Sequence, residues 1–310
     1  MAAQIVTLTM NPAIDLSASA DAVEPTRKIR CANVRRDPGG GNVARVLRRL
    51  GADALAIYLA GGTTGTLLER LVARENIAGL VIEARHETRE NFTVFERKSG
   101  EQYRFVLPGP RVDEAVLQDT LSAIGGLEKG GFLVASGSLP PGAPASFYAD
   151  VARLASSRAL KLVLDSSGAA LSEGLSGHPF LIKPNLRELG ELAGVPLGGA
   201  EAARSAAAQL VEAGRVQMVA LTLGADGALL ATPYGVWRAS APAVDAVSAV
   251  GAGDSFLAAM VLGLVSGLAA EEAFRRGVAA GSAALLSPGT ELCRADDVER
   301  LTREVRVEAI

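Results

Sequence analysis

The sequence predicts an α/β protein with a mostly parallel central sheet, covered by helices on both faces, and a small antiparallel appendage. Three observations carry this. Short apolar runs at Gln4–Thr9, Ala54–Leu59, Phe132–Ala135, Lys161–Asp165, Phe180–Ile182 and Met218–Thr222 have few polar positions and read as strands buried on both faces. Helical patterns at Asn42–Leu50, Gly65–Arg74, Pro144–Ser156, Leu186–Ala193 and Ala200–Ala213 lie between them and make βα units. Finally, Ile14–Val34 and Asn91–Val106 alternate apolar and polar residues, are richer in charge, and hold a hairpin signal at Ser99-Gly100. These two stretches form the expected appendage. The end of the chain, Phe256–Leu286 with Val298–Val305, is almost wholly helical and Ala-rich. No internal repeat or flexible linker interrupts the pattern.

With 310 residues, 49% of them hydrophobic, the chain can bury a large core as one big α/β domain or two ordinary ones. A net charge of −3 with both signs interspersed supplies no basic stripe for nucleic acid or an anionic membrane. No apolar stretch is long and uninterrupted enough for a membrane span, and the N-terminus lacks a signal pattern. Cys31 and Cys293 are far apart without CxxC spacing, which indicates neither a disulfide framework nor a zinc site. A reducing cytoplasm is expected. His86 and His178 are too isolated for a metal site and read as surface or packing residues.

The chemistry is sought at Gly251-Ala252-Gly253-Asp254-Ser255, where an apolar run breaks and a helix starts. Two glycines permit a tight turn, and the free N–H groups of a helix's first turn favour phosphate. A carboxylate beside such a turn suits phosphoryl transfer to an alcohol. Asp254 or Ser255 equally reads as a helix cap behind a glycine turn. A Walker A loop is excluded, because no Gly-Lys dipeptide occurs. Gly39-Gly40-Gly41-Asn42-Val43-Ala44 fits G-x-G-x-x-A, yet Arg35-Arg36-Asp37-Pro38 precedes it instead of a buried strand, and no acid ends the strand at Leu59-Ala60. A dinucleotide site is therefore disfavoured.

With these pieces placed, the chain resembles the PfkB (ribokinase-like) carbohydrate kinase family over essentially its whole length. Val250–Phe256 resembles the family's late signature, and Gly39–Arg45 its early glycine motif. Leu8–Asp15, Ser136–Gly142 and Lys183–Leu189 resemble the hexose-phosphate kinase branch, while Gly100–Val106 and Gly289–Cys293 are most similar to its 6-phosphofructokinases. The resemblance implies a three-layer ribokinase-like fold as a single domain over 1–310, with an inserted β-lid at about 14–36 and 89–108. It implies ATP-dependent phosphorylation of fructose 6-phosphate at the 1-hydroxyl, a glycolytic step, by a homodimer paired through its lids. Mg²⁺ is the implied cofactor, and a monovalent cation such as K⁺ fits the same pattern. Tagatose-6-phosphate kinase and 1-phosphofructokinase are the alternatives within the branch. A non-catalytic sugar-phosphate sensor would require loss of the base, and Asp254 is present.

The same resemblance distributes the residues. Asp254 is the implied base, with the amides of Gly251, Ala252 and Gly253 as the anion site. Asp15, Gly39, Gly40, Asn42 and Ser138 are implied sugar contacts, although Asp15 also reads as a turn residue and Asn42 as an N-cap. By their charge and their place in or beside the appendage, Lys28 and Arg89, with Arg30 a further candidate, are read as donors to the 6-phosphate, although most exposed basic residues bind nothing. Lys183 and Asn185 would border the triphosphate, and Thr222, Gly224 and Gly227 the nucleotide loop, where a plain β-turn is the other reading. Asn185-Leu186-Arg187-Glu188 is a capping box by its residues. In the family this element orders the magnesium shell, which assigns Glu188 to Mg²⁺ through water. Two departures stand out: the loop Gly39–Gly41 is two residues shorter than the family's, and Ala249 replaces a common threonine, removing a hydroxyl near the nucleotide.

Overall fold

A computed structural model describes residues 4–289 and 291–310. Thr290, inside the motif at Gly289–Cys293, and residues 1–3 lie outside the described residues. The chain runs β1 (Ile5–Thr9), β2 (Ala13–Ala20), β3 (Ala32–Gly39), α1 (Asn42–Arg49), β4 (Leu55–Ala60), α2 (Gly62–Arg74), β5 (Ala78–Glu83), β6 (Arg89–Glu96) and β7 (Gln102–Val106). Then come α3 (Glu114–Gly125), β8 (Gly131–Ser136), α4 (Phe147–Ser157), β9 (Leu160–Asp165), α5 (Gly168–Gly174), β10 (Leu181–Ile182), α6 (Leu186–Ala193) and α7 (Ala200–Glu212). It closes with β11 (Met218–Thr222), β12 (Ala228–Thr232), β13 (Gly235–Ala239), α8 (Ala252–Val265), α9 (Ala270–Leu285), α10 (Ala295–Thr302) and β14 (Val307–Ala309).

Among the described residues the main sheet has ten strands in the order β14-β13-β12-β11-β10-β9-β8-β1-β4-β5. From β11 to β5 every pairing is parallel, and β12 to β14 add an antiparallel edge. Successive side chains on a strand alternate faces, and the core follows that period. Leu133 and Ala135 of β8 pack with α3 to α7, whereas Phe132 and Val134 pack with α1, α8, α9 and α10. Both faces are covered, which makes three layers.

The lid is a second sheet in the order β3-β2-β6-β7. Its outer pairs are antiparallel, but β2 and β6 at its centre run parallel. The hairpin read at Ser99-Gly100 joins β6 to β7. The helical stretch expected over Phe256–Leu286 is two helices, because Gly267 turns the chain with φ at 81°. Four strands and two helices escaped the sequence pattern. β5 is an edge strand with mostly exposed side chains, so its faces carry no apolar alternation.

Candidate active site

The carboxyl ends of the parallel strands share one side of the sheet, the usual place for ligands in open α/β folds. There α8 starts behind Gly251, whose φ is 77°. A Cβ at Gly251 would also stand 2.3 Å from Leu292 Cδ2, so the conformation favours glycine and any side chain there would have to displace that methyl. The first amides of α8 have no acceptor within the helix, and Asp254 occupies its third position.

Lys183 follows β10 and is buried beneath this turn, its ammonium 3.2 Å from Asp165 Oδ1. A Cβ on Gly253 would be 3.3 Å from the same nitrogen. Burial works against the charge on Lys183, but Asp165 and Asp254 outweigh it and hold the ammonium above its ordinary value. Burial pushes the Asp165 carboxyl up to about 6 against the pull of Lys183, with Asp254 and Glu188 adding to the rise. A buried ammonium thus lies under the first turn of α8, with Asp165, Asp254 and Glu188 all acting on its charge.

Asn42 lies within reach of Asp254. It is the first residue of α1, and Gly41 is the N-cap, so the N-cap reading of Asn42 is corrected. Its Nδ2 donates to Asp254 Oδ2 at 2.9 Å. Just before it, Gly40 accepts from Thr9 Oγ1 at 2.9 Å, and a Cβ on Gly39 would stand 2.6 Å from the Asp15 carboxylate. Asp15 accepts from Asn91 Nδ2 at 2.8 Å. Burial raises its carboxyl, while Asn91, Arg104 and Arg89 oppose the rise. One face of the lid presents Asp15, Ser17, Asn91, Thr93 and Arg104 to a pocket shared with Val250 and Gly289.

At the other end of the site the capping box is formed: Glu188 N donates to Asn185 Oδ1, and Asn185 N to Glu188 Oε2, both at 2.9 Å. Asn185 bridges to Thr222, the last residue of β11. Beyond it Gly224 and Gly227 take positive φ around a short 3₁₀ turn. Ser138 accepts from Asn11 Nδ2 at 3.0 Å. The structure gives Arg89 other partners: its guanidinium donates to the carbonyls of Asn11, Pro12 and Leu107 at 2.8, 3.4 and 3.1 Å. Lys28 and Arg30 are exposed on the loop between β2 and β3.

Four polar residues of this region were given no site role in the sequence: Asp165, Arg45, Asn91 and Arg104. Asp165 had a signal, an acid ending a buried parallel strand.

Residues 5–297 match the pfkB family of carbohydrate kinases. The ATP-dependent 6-phosphofructokinase isozyme 2 of Mycobacterium tuberculosis is 45% identical over 96% of this chain and 88% of its own length. The enzyme of the same name from Escherichia coli is 40% identical, over 96% and 97%. The 1-phosphofructokinase of Bacillus subtilis is 33% identical, over 98% and 99%. A crystal structure of E. coli phosphofructokinase-2 in complex with potassium superposes with a TM-score of 0.94 at 40% identity, covering 97% of this chain and 99% of that one. A tetrameric inhibited form of the same enzyme gives 0.93 at 39% identity, with the same coverage.

Proposed function

The chain belongs to the pfkB family of carbohydrate kinases, and from that premise we propose how its residues divide the work. It is an ATP-dependent phosphosugar kinase that phosphorylates fructose 6-phosphate at the 1-hydroxyl, giving fructose 1,6-bisphosphate. The observation that carries the mechanism is Asp254 in the first turn of α8, tethered by Asn42 and backed by Lys183. Asp254 orients the hydroxyl and takes its proton as the phosphoryl group transfers. In the loose transition state of this chemistry, positioning and charge stabilisation supply the rate. The amides of Gly251, Ala252 and Gly253 receive the phosphoryl oxygens.

Asp15, Asn42, Gly39, Gly40 and Ser138 surround the sugar. Arg89 keeps one further N–H on each η nitrogen for the 6-phosphate, and Lys28 offers an exposed ammonium to it. Lys183 and Asn185 border the triphosphate, with Thr222, Gly224 and Gly227 beside the nucleotide. The carboxylates of Glu188 and Asp165 are hard oxygen donors of the kind Mg²⁺ takes. Among the described residues no three acidic, His or Cys side chains form a ready ion cage, which favours holding the ion through water. When bound with ATP, Mg²⁺ neutralises charge on the β and γ phosphates. K⁺ beside the nucleotide is part of the same reading.

The lid supports pairing of two subunits. Leu16, Ala18, Phe92, Val94 and Phe105 share its other face, opposite the polar one, and Phe105 is 56% exposed. Two such faces would cover each other in a homodimer. Among the described residues no helix is long and apolar enough to cross a membrane, and a cytoplasmic enzyme is the reading adopted.

Release of ADP measured over fructose 6-phosphate, tagatose 6-phosphate and fructose 1-phosphate tests the substrate. The highest kcat/KM is expected on fructose 6-phosphate. A higher value on fructose 1-phosphate would move the reading to the 1-phosphofructokinases.

A further inference from the structure

Asn42 meets the Asp254 carboxylate with a group that has two opposite ends: an amide nitrogen that donates and a carbonyl oxygen that accepts. Only the nitrogen helps against a carboxylate. The side chain that decides between the two ends is Arg45. It follows Asn42 by three residues on α1, so the two project from the same side of the helix. Although an arginine, it is 1% exposed.

Its Nη1 donates to Asn42 Oδ1 at 3.2 Å, while Asn42 Nδ2 donates onward to Asp254 Oδ2 at 2.9 Å. A guanidinium has no acceptor. Turning the Asn42 amide over would therefore face N–H with N–H on one side and oxygen with carboxylate oxygen on the other. The guanidinium is itself held from behind. Its Nε and Nη2 donate to Glu75 Oε1, just past α2, at 3.1 and 2.9 Å, and Nη2 lies 3.7 Å from Asp37 Oδ1 on β3. Asp37 stands directly across from Asp15 in the lid, so one buried cation is braced by the core, the lid strand and the residue that touches the base. Burying an arginine is costly, and an apolar side chain could cover the same helix face. Orientation is what the guanidinium adds.

We propose that Arg45 is a positioning residue that fixes the amide of Asn42 and, through it, the aim of the Asp254 carboxylate. It acts through Asn42 and touches neither nucleotide nor sugar. The proposal rests on reading Asp254 as the base.

The test is a double-mutant cycle of Arg45→Met and Asn42→Ala in the ADP-release assay with fructose 6-phosphate, with thermal unfolding recorded for each protein. Arg45→Met is expected to lower kcat about tenfold or more with KM for MgATP within about twofold, the pattern of a misaimed group. In the Asn42→Ala background the same change should cost no more than about twofold, because its route is gone. Arg45→Lys, which keeps a donor for Asn42 Oδ1, should lose less. A folded Arg45→Met with wild-type kcat overturns the proposal, and so does a loss that persists in full on Asn42→Ala. If Arg45→Met does not fold, the cycle is run with Arg45→Lys, whose smaller loss must likewise disappear in the Asn42→Ala background, and its persistence there overturns the proposal. Failure of the wild type to phosphorylate fructose 6-phosphate refutes the substrate assignment instead, so the two failures are distinct.

Discussion

Under α8 the charged groups are enclosed and tied to one another, whereas the lid leaves a large apolar side chain in the open even though it buries charges of its own, Asp37 and Glu96. Lys183 is 7% exposed and paired with Asp165, and Asn42 holds Asp254. In the lid, Phe105 is 56% exposed, and Lys28 stands exposed on the loop between β2 and β3. In the proposed mechanism a single chain supplies the phosphoryl-transfer half of the site from its own core, and the half assigned to the sugar phosphate sits on the lid sheet, whose apolar face is exposed. Damage to the first half should appear in kcat, and damage to the second in selectivity and assembly.

Asp254→Asn should break the comparison most sharply, lowering kcat by about 10² or more while the fold and MgATP binding stay nearly unchanged. Retention of wild-type kcat in steady-state assays would remove Asp254 from the mechanism. On the lid side, Arg89→Ala should lower kcat/KM for fructose 6-phosphate by about ten- to a hundredfold, the loss of hydrogen bonds to an ionised group. Activity on free fructose is expected to change little. Because Arg89 also holds the carbonyls of Asn11, Pro12 and Leu107, an equal loss on both sugars would mean that it supports the backbone only.

Phe105→Glu puts a charge into the apolar lid face and should weaken self-association at least about tenfold, read by sedimentation equilibrium. Wild-type protein that is monomeric and fully active at assay concentration would end the pairing reading. The smallest effect expected is on pH dependence. The Asp165 carboxyl, pushed up to about 6, is ionised above that value and protonated below it, so kcat/KM for MgATP should rise with pH through this point. Between pH 7 and 5.5 the fall should be about fourfold, and Asp165→Asn should flatten it. A flat wild-type profile over that range would show that the ionised form is not needed.

Much of the frame was legible in the residues. Buried parallel strands advertise themselves as apolar runs, and the turn at Gly251–Asp254 and the capping box at Asn185–Glu188 carry their own spacing. What stayed hidden was depth. Arg45 sits among Arg48 and Arg49 on α1, where three arginines look like a solvated helix face, yet only Arg45 is sealed inside. Asp165 looks like the ordinary close of a strand until Lys183 and Asp254 are brought against it from distant parts of the chain. Asn91 and Arg104 depend on which face of the lid points inward, and register is a property of paired strands. The short β5 and β14 carry too little buried surface to leave a pattern.

Gly251 has a consequence for how this sequence can change over time. Its left-handed φ and the Leu292 methyl 2.3 Å from a would-be Cβ are two separate obstacles to substitution. Asparagine is the residue most tolerant of that backbone, and it would still have to push the Leu292 methyl aside. Leu292→Ala would ease that step, so the tolerance of the turn to change depends on a residue forty-one positions away in the chain.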